Sequence, residues 1–275
     1  MKKGLLITVM LMVMLMVMLA LGACSSGESK EDQWSRIKKD KEVVIGLDDS
    51  FVPMGFRDKD DNLVGFDIDL AKAVFAEYGI KAKFTPIDWT MKESELKNGS
   101  IDLIWNGYTV TDARKKQVAF SQPYMKNEQV LVTLKSSNIN QFSDMKNKTL
   151  GAQNGASSID DMAKKTEVLT DIINNNEPEL YDTFDTAFID LNNKRIDGLI
   201  IDEVYARYYI DKQKNKDDYN IITGGFDATD FAVGMRKSDK ELQTKINEAF
   251  EKLYKEGKMQ EISKKWFGDD EIAKQ

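Results

Sequence analysis

The chain of 275 residues contains no histidine, a single cysteine and four prolines. Without histidine, neither Ser-His-Asp nor Cys-His catalysis is available. The common zinc sites, built from histidine or several cysteines, are excluded as well. One cysteine cannot form an internal disulfide, so no redox framework braces the fold. Positive charge is also short, with 39 Lys and Arg against 46 Asp and Glu and a net charge of −7. Nucleic-acid binders present a basic face to phosphates, and this acidic balance argues against one. No cofactor and no metal is expected.

What is present begins with a segregated N-terminus. Lys2 and Lys3 precede an apolar run from Leu5 to Leu21 whose polar member is Thr8. That length suits the apolar core of a secretory signal better than a membrane span. Met10, Met12, Met14, Met16 and Met18 fall inside it and read as flexible apolar filler. The run ends Leu21-Gly22-Ala23-Cys24, followed by Ser25-Ser26-Gly27-Glu28. This resembles the bacterial lipobox, which implies cleavage before Cys24 and lipidation of that residue. Residues 1–23 are then a signal peptide and 24–33 a lipidated tether.

Beyond the tether, strand-like and helix-like runs alternate. Val43-Val44-Ile45-Gly46 reads as a strand, and Ile68, Ala71, Val74, Phe75 and Tyr78 recur at helical spacing up to Gly79. Ile101 to Trp105 predicts a strand, Thr111 to about Val118 a short helix, and Gln129 to Leu134 another strand. Leu150-Gly151-Ala152 precedes a helix beginning near Ser157, and Phe184, Phe188 and Leu191 mark one helical face. Gly198 to Ile201 and Phe231 to Met235 complete the strands. Ser238-x-x-Glu241 has the capping-box pattern for a last long helix that breaks at Gly257. Alternating β and α elements predict an α/β fold with parallel sheets covered by helices.

Three features suit a small zwitterion. Asn106 to Arg114 leaves a strand and enters a helix. Gly107 permits close approach, Thr111 caps, and Arg114 offers a bidentate grip on a carboxylate. Gln153-Asn154-Gly155-Ala156-Ser157-Ser158 brings a second glycine loop to a helix start. The run Leu199-Ile200-Ile201 ends in Asp202, at the strand end where open α/β sheets bind ligands. Each has a plainer alternative: ordinary capping, a surface arginine, a common loop, or Asp202 as a helix N-cap.

Gly65-Phe66-Asp67-Ile68-Asp69-Leu70-Ala71, Phe120-Ser121-Gln122-Pro123-Tyr124, Thr111-Asp112-Ala113-Arg114 and Lys264-Lys265-Trp266-Phe267-Gly268 occur in order along the chain. Together, from about Val43 to Gly268, they resemble the polar amino-acid solute-binding lipoproteins of ABC importers, bacterial solute-binding protein family 3. The resemblance implies a two-lobed, periplasmic-binding-protein-like type II fold. Each lobe is then a mostly parallel sheet flanked by helices, with two crossover strands as hinge. Lobe one comprises 34–127 and 227–275, and lobe two 128–226. It further implies that Arg114 grips the ligand α-carboxylate, with donors from the Thr109 and Ser157 segments. Asp202 would receive the α-ammonium, with groups around Gly107 and Thr109. Phe51 and Trp89 would be aromatic walls, and Asp48 would read the tip of the ligand side chain. Ala156 departs from the Ser or Thr that relatives often carry, and the sequence leaves open whether Glu93 or Glu95 faces the cleft.

An acidic Asp48 beside two aromatic residues suits arginine or another basic amino acid; glutamine is the alternative, since its amide also donates to a carboxylate. The expected partners are the free amino acid, permease subunits with their cytoplasmic ATPase, and the membrane through a lipid anchor on the extracytoplasmic face. The protein is expected to act as a monomer. A dehydratase-like enzyme on the same fold would need a tuned acid or base, which the sequence does not offer, and a ligand-sensing role is the remaining alternative.

Overall fold

The computed structural model describes residues 31–275. The signal peptide, Cys24 and most of the tether lie outside the described residues.

A short helix α1 (Trp34–Asp40) leads into strand β1 (Glu42–Leu47), followed by the small antiparallel strands β2 (Ser50–Phe51), β3 (Gly55–Arg57) and β4 (Leu63–Val64). Then come α2 (Phe66–Ala76), β5 (Lys81–Pro86), α3 (Lys92–Asn98), β6 (Leu103–Ile104), α4 (Asp112–Lys115) and β7 (Ala119–Phe120). The middle of the chain supplies β8 (Met125–Asn127), β9 (Gln129–Leu134), β10 (Leu150–Gln153), α5 (Ser157–Lys164), β11 (Glu179–Tyr181) and α6 (Phe184–Asn192). It continues with β12 (Gly198–Asp202), α7 (Glu203–Asp211) and β13 (Tyr219–Ile222). The last part holds β14 (Thr229–Phe231), β15 (Gly234–Met235), α8 (Lys240–Lys255) and α9 (Lys258–Phe267).

These strands form two five-stranded sheets, ordered β5-β1-β6-β15-β7 and β11-β10-β12-β9-β13. In each, one strand (β15 or β9) runs against the other four. The fold is thus two α/β lobes with mostly parallel sheets, as the sequence predicts. Strands β9 and β12 are buried along their whole length, and apart from Gln129, Thr133 and Asp202 they carry no polar side chain. The chain passes between the sheets through β8 and returns through β14, and these two pair antiparallel with Thr229 opposite Asn127. Among the described residues no helix is long and apolar enough to cross a membrane.

Several local predictions shift. Phe231 to Met235 is two strands because its ends serve different partners. Phe231 pairs with Met125 in the two-stranded ribbon, while Gly234 pairs with Ile104 and Phe120 in the first sheet. Gly234 also lies against the Tyr108 ring, where an added Cβ would come within 2.7 Å of a ring carbon. The helix after Thr111 is only Asp112–Lys115. The N-cap of α8 is Asp239 rather than Ser238, and the Glu241 N–H donates to the Asp32 carboxylate. Asp239 is drawn inward by Arg236, whose Nε lies 3.0 Å from its Oδ2.

Arg236 is itself a buried junction. It donates to the carbonyls of Leu96 and Ile101 at 3.0 and 2.8 Å and to Asp102 at 3.1 Å. Asp102 in turn accepts from the Val44 N–H at the sheet centre, at 2.9 Å. Removing one partner of a buried ion pair leaves uncompensated charge, a loss of about 3–5 kcal/mol. Chemical denaturation of Arg236→Met should show a loss of that size; a change below about 1 kcal/mol would contradict this role.

Candidate functional site

The segments singled out in the sequence meet along one seam between the two lobes. On the first lobe, Gly107 sits at φ +54°, in the region that favours glycine. A Cβ there would come 3.0 Å from a Phe51 ring carbon, so the close approach also requires glycine. The loop is pinned from below: the Gly107 N–H donates to Asp67 Oδ2 at 2.7 Å, and the Tyr124 hydroxyl donates to the same oxygen at 3.0 Å. Asp67 lies on α2 inside the core, and burial pushes its carboxyl up to about 7.

Two residues on, the Thr109 carbonyl accepts from Arg114 Nη1 at 3.0 Å. Thr111 caps α4, its Oγ1 receiving the Arg114 N–H at 3.2 Å. The capping expectation for this segment therefore holds, and the cap leaves the Arg114 side chain free to turn toward the seam. The guanidinium is buried, stacked 4.5 Å above the Tyr108 ring, with Nη2 donating to the Gly155 carbonyl across the seam at 3.1 Å. Behind it stands Glu93, 3.9 Å from Arg114 Nε and accepting from the Tyr108 hydroxyl at 2.8 Å. Glu93, not Glu95, is the carboxylate that joins this group.

The second lobe answers with the loop between β10 and α5. Ser157 donates to Thr109 Oγ1 at 3.0 Å, and Gln129 Nε2 lies 3.3 Å from the same Ser157 oxygen. Ala156 contributes no hydroxyl, and its N–H is turned to the Gln153 carbonyl at 3.2 Å. Asp202 occupies the N-cap position of α7, yet its side chain makes no capping hydrogen bond. It accepts from Gln129 Nε2 at 2.7 Å and from Asn127 Nδ2 instead. Burial raises its carboxyl to about 6 against the pull of these two donors.

At the other end, Asp48 follows β1. Its Oδ1 accepts from the Ser50 N–H and hydroxyl at 2.9 and 2.6 Å, and its Oδ2 from Gln153 Nε2 across the seam at 2.8 Å. Burial pushes this carboxyl upward too. Phe51 packs against Tyr205 and Phe184 of the second lobe, at ring-centroid distances of 5.4 and 5.9 Å. Trp89 belongs to a different cluster, edge-on to Tyr108 at 6.0 Å with Leu96, Ile101 and Ile104 around it. The two aromatic residues therefore do not pack as one pair.

Sequence reasoning missed Asn127, Gln129, Lys92 and the bracing role of Asp67. Polar residues at the edge of a fully buried strand were a legible sign for Gln129. For Lys92, three residues after Trp89, no periodicity gave a sign. A separate groove of about 710 Å³ between α7, α9 and β8 holds none of the predicted site residues.

Because the folded pKa of Asp67 lies above its unfolded value, its neutral form is favoured in the native state. That contribution is complete below about pH 4 and is lost as pH rises through about 7. Asp67→Asn does not titrate, so its stability relative to wild type should rise between pH 5 and pH 8. Denaturant titrations at both values check this, and a constant difference would count against the buried neutral carboxyl.

Residues 43–269 match the model of the bacterial extracellular solute-binding proteins, family 3. The chain is 29% identical over 263 residues to the L-cystine-binding protein TcyJ of Escherichia coli strain K12, covering 94% of this chain and 95% of that protein. It is 29% identical over 267 residues to the arginine-binding extracellular protein ArtP of Bacillus subtilis strain 168, covering 97% and 98%. An ABC uptake transporter substrate binding protein from Streptococcus pneumoniae, solved with bound histidine, is 56% identical and superposes with a TM-score of 0.87, covering 88% of this chain and 99% of that one.

Proposed function

The chain belongs to the bacterial extracellular solute-binding proteins of family 3, and on that premise we propose that it closes two lobes on a free basic amino acid, arginine first, and delivers it to an ABC importer. It is a solute-binding protein, not an enzyme. The moving bodies are 34–127 with 227–275, and 128–226. Lipidation at Cys24 holds the protein as a monomer on the extracytoplasmic face, within reach of the permease and its ATPase.

One observation carries this reading. A buried guanidinium, Arg114, and a buried carboxylate, Asp202, are held at the seam by different lobes. A zwitterion is the ligand that matches both, its carboxylate on Arg114 beside Thr109 and Ser157, its ammonium on Asp202. Only a ligand touching both favours the closed state over the open one. For the side chain, Asp48 is a half-buried acceptor near Phe51, a setting for a cationic tip. The named ligands of the relatives include arginine and histidine, both with basic side chains. Glutamine is the second reading, favoured by the Gln153 amide, which already donates to Asp48 at 2.8 Å.

Calorimetry against arginine, histidine, lysine, glutamine and cystine should give arginine the highest affinity, with the other basic amino acids next. A preference for cystine or for an acidic amino acid would sink the assignment of Asp48. Arg114→Ala and Asp202→Ala should each fold yet bind at least about a hundredfold more weakly, because one ligand charge is left buried and unpaired.

Asp48→Asn separates the two ligand readings. Removing the charge should weaken arginine by more than glutamine, since an amide oxygen still accepts a neutral donor. Equal losses for both ligands contradict a tip chosen by charge.

A further inference from the structure

Lysine is among the residues least often buried, yet Lys92 is only 3% exposed. Its ammonium donates to the Trp89 carbonyl on its own lobe at 2.9 Å and to the Gly155 carbonyl across the seam at 3.0 Å. Arg114 donates to that same Gly155 oxygen at 3.1 Å. Two cations of the first lobe thus converge on one neutral oxygen of the second. Gly155 sits at φ +73°, in the region that favours glycine.

The nearby anions are already engaged. Glu93 lies 3.5 Å from Lys92 Nζ and 3.9 Å from Arg114 Nε while accepting from Tyr108. Asp160 accepts from the Thr111 hydroxyl at 3.0 Å. Burial, then the Arg114 charge, push the Lys92 ammonium down to about 8, the response of a cation held out of water beside another.

We propose that Lys92 is a positioning residue that makes lobe closure depend on the carboxylate of the ligand. The proposal rests on the reading that Arg114 grips the α-carboxylate of a free amino acid. With the lobes apart, Lys92 loses the Gly155 carbonyl and regains water. Both cations ride on the first lobe, so closure leaves their separation unchanged but takes them out of water, into a medium where like charges repel strongly. A carboxylate on Arg114 joins Glu93 as a second negative charge, so that two anions then face the two cations. A ligand lacking that carboxylate closes the lobes against the repulsion.

The test compares each amino acid with its own α-amide. Affinities of L-arginine and L-argininamide, and of L-histidine and L-histidinamide, are measured by calorimetry for the wild type, Lys92→Met and Lys92→Arg. The carboxylate preference within each pair should fall about tenfold in Lys92→Met and be retained in Lys92→Arg. A lysine that merely braces the seam would weaken both members alike. An unchanged ratio in Lys92→Met therefore overturns the proposal whatever the individual affinities do. A wrong assignment of the ligand side chain lowers both members of a pair and leaves the ratio readable. If neither pair binds the wild type, that ligand class fails, and the ratio is read on the best-binding amino acid of the panel and its α-amide.

Discussion

Withdrawing a guanidinium and a carboxylate from water costs several kcal/mol each unless both find partners, and this fold sets one on each side of a seam. Arg114 reaches from the first lobe to the Gly155 carbonyl of the second. Asp202, on the second, is steadied by Asn127 and Gln129, which lie at the passage between the sheets. Neither charge has an oppositely charged partner in hydrogen-bonding contact. Glu93 stands 3.9 Å from Arg114 Nε and carbonyls orient the rest of the guanidinium, while amide side chains hold Asp202. In the proposed function, a zwitterion brings a countercharge to each of them at once.

The bracing under the site follows the same logic. Asp67 ties the Gly107 loop to Tyr124, the residue immediately before β8. The segment nearest the proposed carboxylate grip and the first strand between the lobes thus share one buried oxygen. Arg236 performs a comparable service for the first sheet, joining the α3 end, β6 and the start of α8 through carbonyls and two carboxylates. These polar junctions lie inside an apolar core, where each contact is stronger and each missing one costs more than in water. They fix geometry, while the aromatic contacts of Phe51 with Phe184 and Tyr205 supply apolar contact across the lobes.

Much of the fold was legible because its signals are local. The strand expected over Gly198 to Ile201, the helical face of Phe184, Phe188 and Leu191, and the break at Gly257 all appear where periodicity and glycine put them. The misjudged stretches are those whose ends answer to distant partners. Phe231 to Met235 divides because its two halves pair in different sheets. Ser238 yields the N-cap position to Asp239, which faces the Arg236 guanidinium in the core.

The site divides along the same line. The sequence by itself determined the class of elements, the two glycine loops, the cationic Arg114 and the anionic Asp202 and Asp48, because residue type and backbone freedom are properties of a short segment. Tertiary structure decided which of these meet. It set Lys92 and Arg114 on one carbonyl from residues 63 and 41 positions apart in the chain. It chose Glu93 over Glu95 and separated Trp89 from Phe51. Hydrogen bonds and charge pairs act over a few ångströms of space irrespective of sequence distance, so contacts across the seam are fixed only once both sheets have formed and the chain has passed between them twice.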